Sequence, residues 1–344
     1  MKKIVVYGIG QYLKKYETEI EKKYDVVGYI DKNGGKHNGK KVYQKIEDVD
    51  IDYDYVIIMA TKIKYCFEII NALLCANVEY QKILLGLSLY GMYSKFEFGV
   101  TSSGSIKINN GKFAIDIISE DEFANVMDIV LNECYNYHLS GNKKNIVLDI
   151  GMNIGDSTLY FLTQEQTEKV YAFEPFPDTY QRALFNLKDY LETDKLQVFN
   201  YGLSDNNEKR TISYNNQMTC GQSTIPLVND QAITTYEKWE LIDKKQSGEN
   251  EIEVKKASDV IETIKNNHKK EKLVLKIDCE GEEYAIMLDL SKNCKMNLVD
   301  FIMLEWHYKS PENIYRCLEK NNFSYYSVIS DVERNMGYIY AWKS

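Results

Sequence analysis

The 344-residue chain carries 42 Lys and Arg against 51 Asp and Glu, a net charge of −9. That balance argues against a general nucleic-acid binder, which needs concentrated cations to neutralise phosphate, and the length allows two domains. Seven scattered cysteines without a CxxC pair give no zinc site or disulfide framework. No run approaches the roughly 20 apolar residues of a membrane helix, so a cytoplasmic protein that inserts in no membrane is expected.

In chain order, Ile4–Tyr7 reads as a strand running into Gly8-x-Gly10 and a helix over 11–23. Val26–Ile30 is a second strand ending on Asp31, Tyr55–Met59 a third and Ile83–Leu85 a fourth, with helical spacing over 64–76. Asp31 follows Gly10 by 21 residues, the spacing of a ribose-binding acid, although Leu13 replaces the third glycine. This part resembles small Rossmann domains that hold nucleotide sugars or sit beside sugar-modifying enzymes. A scaffold or dimerisation role is equally open to it, and with that a homodimer.

Residues 86–118 are glycine-rich, and Asn110-Gly111 between SIKI and KFAIDI predicts a hairpin with a type I′ turn. Ser119 and Glu122 form a capping-box pattern. The domain boundary is expected near 95, giving domains 1–95 and 96–344.

A longer α/β series follows, with strands expected at 146–150, 169–173, 196–200, 273–277 and 300–304, and a helix over 177–191. Tyrosine-rich strands at 323–329 and 337–342 close the chain. The expected fold class is α/β: an open twisted sheet, parallel with its last strand antiparallel, plus a smaller N-terminal Rossmann-like domain.

The chemistry sits at strand ends. VLDIGMNIGDST (147–158) puts Asp149 at a strand terminus, and Gly151 and Gly155 in a turn opening a helix. A dinucleotide turn reads GxGxxG. Here DxGxxxG places an acid where the first glycine would be, which suits a cationic ligand with an amino group and disfavours pyrophosphate. S-adenosylmethionine fits. Glu174, 19 residues past Gly155 in AFEPFP, can accept hydrogen bonds from ribose hydroxyls, and Ser204 and Asp205 in GLSD are expected beside the adenine. LVLKIDCEGEE (273–283) sets Lys276, Asp278, Glu280 and Glu283 around Gly281, and FIMLEWHY (301–308) offers Glu305 and His307. Asp278, Glu280, Glu305 and His307 could also make an oxygen-rich divalent-metal site. Carboxylate clusters occur without metals, and no metal is assigned. His37 and His268 are expected in solvated loops, and His138 is given no functional role.

These motifs resemble the FkbM-type methyltransferases, whose hallmarks appear as DIGMNIG, AFEPFP, GLSD, KIDCEGEE and LEWH, with ECYNY (133–137) upstream. The likeness spans roughly 102–308. Met152 stands where a small residue is more usual. The resemblance implies a Rossmann-like methyltransferase sheet, and motifs and resemblance together imply S-adenosyl-L-methionine as cofactor. Around the glycine turn it would be held by Tyr135, Asp149, Gly151, Asn153, Gly155, Asp156 and Ser157. Glu174, Pro175, Ser204, Asp205 and Asp278 would complete its site. Asp278, Glu280 and His307 are the implied catalytic residues. The resemblance also implies O-methylation, less readily N-methylation, of a small-molecule or glycan acceptor, as in glycan or flagellin-glycosylation modification. The unpatterned insertion 215–250 is expected to shape the acceptor site. The rival reading is a nucleotide-sugar- or NAD-binding Rossmann protein with a non-catalytic second domain; the missing third glycine counts against NAD.

Overall fold

The computed structural model describes residues 1–137, 139, 143–215, 218, 220–238 and 247–343. His138 and positions 216, 217, 219 and 239–246 of the expected acceptor insertion lie outside the described residues. The chain divides into two compact units, Met1–Ala124 and Asn125–Ser344.

The first unit follows the expected order: β1 (Lys3–Tyr7), α1 (Gln11–Lys23) and β2 (Asp25–Ile30), then β3 (Gly35–His37), β4 (Lys40–Tyr43) and β5 (Tyr55–Ile58), then α2 (Ile63–Cys75) and β6 (Ile83–Leu85). The sheet order is β3-β4-β2-β1-β5-β6, with only β3 antiparallel to its neighbour. Ile4, Val5 and Val6 are fully buried, as a central parallel strand covered on both faces requires. The β3–β4 pair is an addition to the expected elements; its strands are short and lysine-rich and carry no apolar alternation.

A three-stranded antiparallel sheet follows, β7 (Glu97–Val100), β8 (Ile106–Asn109) and β9 (Ala114–Ile117). Because β7 packs on β6, this sheet belongs with the first unit, and the division falls at Ala124, inside α3 (Glu120–Val130), rather than near 95. The hairpin forms, but its turn is not type I′. Gly111 is left-handed (φ +81°) while Asn110 is not. Instead Asn110 Oδ1 accepts from the amides of Lys112 and Phe113 at 2.9 and 3.0 Å. Ser119 caps α3 through the Glu122 amide at 3.1 Å, and Glu122 reaches back to the amide of Ile118.

The second unit begins with β10 (Asn145–Ile150), α4 (Asp156–Leu162), β11 (Thr167–Phe173), α5 (Pro177–Asn186) and β12 (Leu196–Phe199). An inserted small sheet comprises β13 (Gly202–Ser204), β14 (Glu208–Asn215) and β15 (Ser247–Lys256), with α6 (Pro226–Lys238) between the last two. Then come α7 (Ala257–Asn267), β16 (Lys272–Ile277), α8 (Glu283–Lys292), β17 (Phe301–Trp306), α9 (Glu312–Lys320), β18 (Phe323–Asp331) and β19 (Met336–Lys343). The main sheet runs β12-β11-β10-β16-β17-β19-β18, parallel except for β19, which pairs antiparallel with both neighbours. The order reverses between β10 and β16. An open α/β sheet forms its ligand crevice at such a switch point, beyond the carboxyl ends of the strands. His268 is not free in a loop: its Nε2 lies 2.8 Å from the Tyr171 hydroxyl. His37 likewise pairs with Glu17. No helix among the described residues is long and apolar enough to cross a membrane.

Candidate active site

The turn after β10 is built by backbone chemistry that only glycine supplies. Gly151 and Gly155 hold φ of +81° and +89°, and a Cβ on Gly151 would lie 1.9 Å from the Asp278 carbonyl oxygen. The loop after β10 and the loop after β16 therefore touch backbone to backbone. Lys276, 2% exposed, locks them together. Its Nζ donates to the Gly151 carbonyl at 2.6 Å and lies 3.2 Å from Asp149 Oδ1 and 3.6 Å from Asp278 Oδ2.

Asp149 is fully buried, and its Oδ2 accepts from Ser157 Oγ and Thr158 Oγ1 at 2.7 and 2.6 Å. It thus braces the turn against α4, while its Oδ1 faces the Lys276 ammonium. Asp156, also buried, accepts from the Ser157 amide, and burial pushes its carboxyl up to about 7.

Glu174 ends β11 beside this turn. Its two oxygens accept from the amides of Asn153 (3.1 Å) and Phe176 (3.0 Å). Burial pushes the carboxyl up to about 8, against those two bonds and Lys276, which favour the charged form. Asn153 itself is left-handed (φ +49°), and its Oδ1 is buried with no hydrogen-bond partner among the described residues.

Beyond β16 and β17 the acids converge. Asp278 Oδ2 accepts from the hydroxyl of buried Tyr135 at 2.9 Å. His307, 4% exposed, pairs through Nδ1 with fully buried Glu283, and its Nε2 stands 3.9 Å from Asp278 Oδ1, Glu280 Oε2 and Glu305 Oε1 alike. Burial alone would lower the His307 pKa, but Glu280, Glu283 and Asp278 outweigh it and hold the imidazole well above its ordinary value. Glu305 is pushed up to about 8 by burial and by Asp278, with His307 opposing. Glu280 is left-handed (φ +52°) and accepts from the Tyr308 hydroxyl.

The sequence matches the Methyltransferase FkbM domain over residues 149–337, more than half of the chain. The chain belongs to the FkbM methyltransferase family. Residues 1–84 match a separate family, the C2185-like N-terminal domain. The crystal structure of methyltransferase FkbM from Methylobacillus flagellatus aligns over 99% of this chain and 90% of its own, at 12% identity and a TM-score of 0.38. A putative tRNA (m1A22) methyltransferase from Streptococcus pneumoniae, in complex with S-adenosyl-L-methionine, covers 66% of this chain and 73% of its own. Its identity is 14% and its TM-score 0.33. Among curated proteins, the AMB antimetabolite synthetase AmbE of Pseudomonas aeruginosa is 38% identical over 69 residues, 20% of this chain. The match spans only 3% of that much longer protein.

The structure brings most of the cofactor residues read from sequence together. Tyr135, Asp149, Gly151, Asn153, Gly155, Asp156, Ser157, Glu174 and Asp278 gather around one turn. The Ser204 hydroxyl is fully buried, donates to Glu282 and accepts from Arg210 Nη2 at 3.1 Å. Asp205 is exposed just beyond it. Pro175 is buried behind Glu174.

The Arg210–Glu282 pair escaped sequence reading. Arg210 Nη1 donates to Glu282 Oε2 at 3.0 Å, and Thr224 Oγ1 donates to the same oxygen at 3.0 Å, so β14, the α6 approach and the loop after β16 meet at one carboxylate. The rarity of arginine, four in the chain, was the one available signal. Arg210→Met is expected to cost about 3–5 kcal/mol, because it strands a buried carboxylate. Urea unfolding of the variant measures this, and a loss under 1 kcal/mol would show the pair to be dispensable.

In the first unit, Asp31 is tied to its own turn. Its Oδ2 accepts from the Ile9 amide at 3.2 Å and its Oδ1 from Asn33 at 3.1 and 3.2 Å.

Proposed function

We propose that this FkbM-family chain transfers a methyl group from S-adenosylmethionine to a hydroxyl, less readily an amine, of a sugar-containing acceptor in the cytoplasm. The observation that carries the reading is Glu174, a buried carboxylate at the end of β11 set against the Gly151–Gly155 turn. The residues fit the cofactor: Asn153 Oδ1 is a buried acceptor with no protein donor, suited to an ammonium, and the surrounding carboxylates favour a cationic ligand. When bound, the cofactor supplies an electrophilic methyl group on a sulfonium. Glu174 would accept from its ribose hydroxyls, Asn153 from its amino group, and exposed Asp205 would lie at the adenine end. Asp278, Glu280, Glu305 and His307 would orient the acceptor and take its proton, since transfer to oxygen needs that proton removed. The acceptor class rests on the family resemblance.

Calorimetric titration with S-adenosylhomocysteine tests this directly. Glu174→Ala should weaken binding by about 10–100-fold, the worth of hydrogen bonds to a charged group. Absence of binding by the intact protein would sink the reading.

The raised Glu174 pKa adds a pH prediction. A carboxyl raised in the folded state binds a proton that the unfolded chain has already released. Its folded-state cost is therefore absent below about 4.5 and grows as pH rises towards about 8. Ribose hydroxyls donate to the ionised form, so cofactor binding should release a proton below pH 8. Affinity for S-adenosylhomocysteine is expected to rise by up to about tenfold per pH unit between 6 and 8, then level off. Titrations in two buffers of different ionisation enthalpy count the proton; a pH-independent affinity would refute its release from Glu174.

A further inference from the structure

The acids beyond β16 and β17 surround an imidazole nitrogen in an arrangement that a simple ion-pair cluster does not explain. One ligand atom each from Asp278, Glu305 and His307 lie within 4.8 Å of one another. Among the described residues His307 Nε2 has no hydrogen-bond partner, yet it faces three carboxylate oxygens at 3.9 Å. A carboxylate hydrogen-bonded to a protonated imidazole would stand at about 2.8 Å, and none of the three does. Two ligands sharing an ion at about 2.1 Å are instead held about 3–4 Å apart. The second observation lies outside that cluster. Glu283, fully buried behind the ring, takes Nδ1, so the imidazole of this 4%-exposed residue is fixed with Nε2 aimed into the acids. A carboxylate on the far nitrogen is the usual support of a metal-binding histidine. Asp278 is similarly divided: Tyr135 and Lys276 occupy Oδ2, and Oδ1 is the oxygen that faces Nε2.

We infer that Asp278, Glu305 and His307 bind one divalent first-row cation, with Glu280 beside it as proton acceptor. A mixed set of two carboxylates and one imidazole suits Mn²⁺ and its neighbours better than Ca²⁺, which takes six to eight oxygens. The ion leaves positions open for the acceptor oxygen and lowers the pKa of its hydroxyl. The O–H bond breaks and its proton passes to Glu280. The oxygen lone pair forms the bond to the methyl carbon, and the carbon–sulfur bond breaks with its electron pair left on sulfur. This step rests on the methyl-transfer reading; the ion site does not.

The test is titration of the chelator-stripped, full-length protein with Mn²⁺ alone, following free Mn²⁺ by electron paramagnetic resonance. One site per chain is expected, with pulsed spectra showing coupling to an imidazole ¹⁴N. Glu305→Gln and His307→Gln should each weaken Mn²⁺ by at least about tenfold, and Glu283→Gln by about 10–100-fold through the ring it holds. Retained S-adenosylhomocysteine binding shows that each variant is folded. Should a variant fail to fold, the ¹⁴N coupling in the unmodified protein decides alone. A protein that binds S-adenosylhomocysteine but no Mn²⁺, or Mn²⁺ without nitrogen coupling, overturns the ion site and leaves the methyl-transfer reading standing. One that binds Mn²⁺ at this site but no S-adenosylhomocysteine does the reverse.

Discussion

Gly151→Ala is expected to abolish S-adenosylhomocysteine binding and to destabilise the second unit by at least about 3 kcal/mol. Two costs add. An L-residue in the left-handed region loses about 1–2 kcal/mol. The new methyl would also lie 1.9 Å from the Asp278 carbonyl oxygen, which is backbone and cannot swing aside as a side chain would. The Asp278 amide donates to the Ile150 carbonyl at 3.1 Å, so retreat of that loop would break the β10–β16 register at its end. Gly155→Ala provides the internal comparison. Its φ is similarly left-handed, but the added Cβ meets only the Leu187 side chain, at 3.0 Å. It should cost about 1–2 kcal/mol, mostly from φ. Urea midpoints and titration with S-adenosylhomocysteine would separate the two. Equal losses would mean that backbone angle alone, and not the contact between the two loops, makes Gly151 necessary.

That contrast also explains what was legible in the sequence. Asp149, Gly151, Gly155 and Glu174 could be read because each is fixed locally, by a strand end or a tight turn, and the parallel order carries one strand end to the next. KIDCEGEE and LEWH likewise mark the ends of β16 and β17. Chemistry made between distant segments was not legible. Ser204, Arg210, Thr224 and Glu282 meet only because β14 and α6 fold back over the loop after β16, and no short pattern records that. Ser204 was accordingly placed beside the adenine, although its hydroxyl belongs to Glu282. For Asp149, spacing gives the position at the strand end but not the bonds from Ser157 and Thr158 to its Oδ2 or the Lys276 ammonium beside its Oδ1. At the hairpin, Asn110-Gly111 marked the turn correctly, but its conformation depends on where the Asn110 side chain bonds. The three-stranded sheet 97–117 lies inside the glycine-rich segment, just past the boundary expected near 95. Which unit owns it depends on packing against β6, a tertiary fact.

Lys276→Met should be the most damaging single substitution that leaves the backbone able to fold as drawn. The ammonium is nearly inaccessible to solvent and is the close cationic partner of Asp149 among the described residues, with Asp278 beyond it at 3.6 Å. Burial works against its charge, but Asp149, Asp278 and Asp156 outweigh that and raise its pKa, so it stays protonated across the physiological range. Methionine fills a similar volume but leaves Asp149, itself fully buried, without its counter-charge, and breaking such a pair costs about 3–5 kcal/mol. The Gly151 carbonyl would also lose its 2.6 Å donor, so the turn should loosen and S-adenosylhomocysteine affinity should fall together with stability. The argument is sharpened by the double variant Lys276→Met, Asp149→Asn. Removing both charges restores neutrality, and an Asn oxygen can still accept from Ser157 and Thr158, so part of the stability should return. A double-mutant cycle on urea unfolding would then give a favourable coupling above about 1 kcal/mol. If the losses of the two single variants simply add, Lys276 supports the site by packing its chain, and the charge pairing assigned to it between the two loops is wrong.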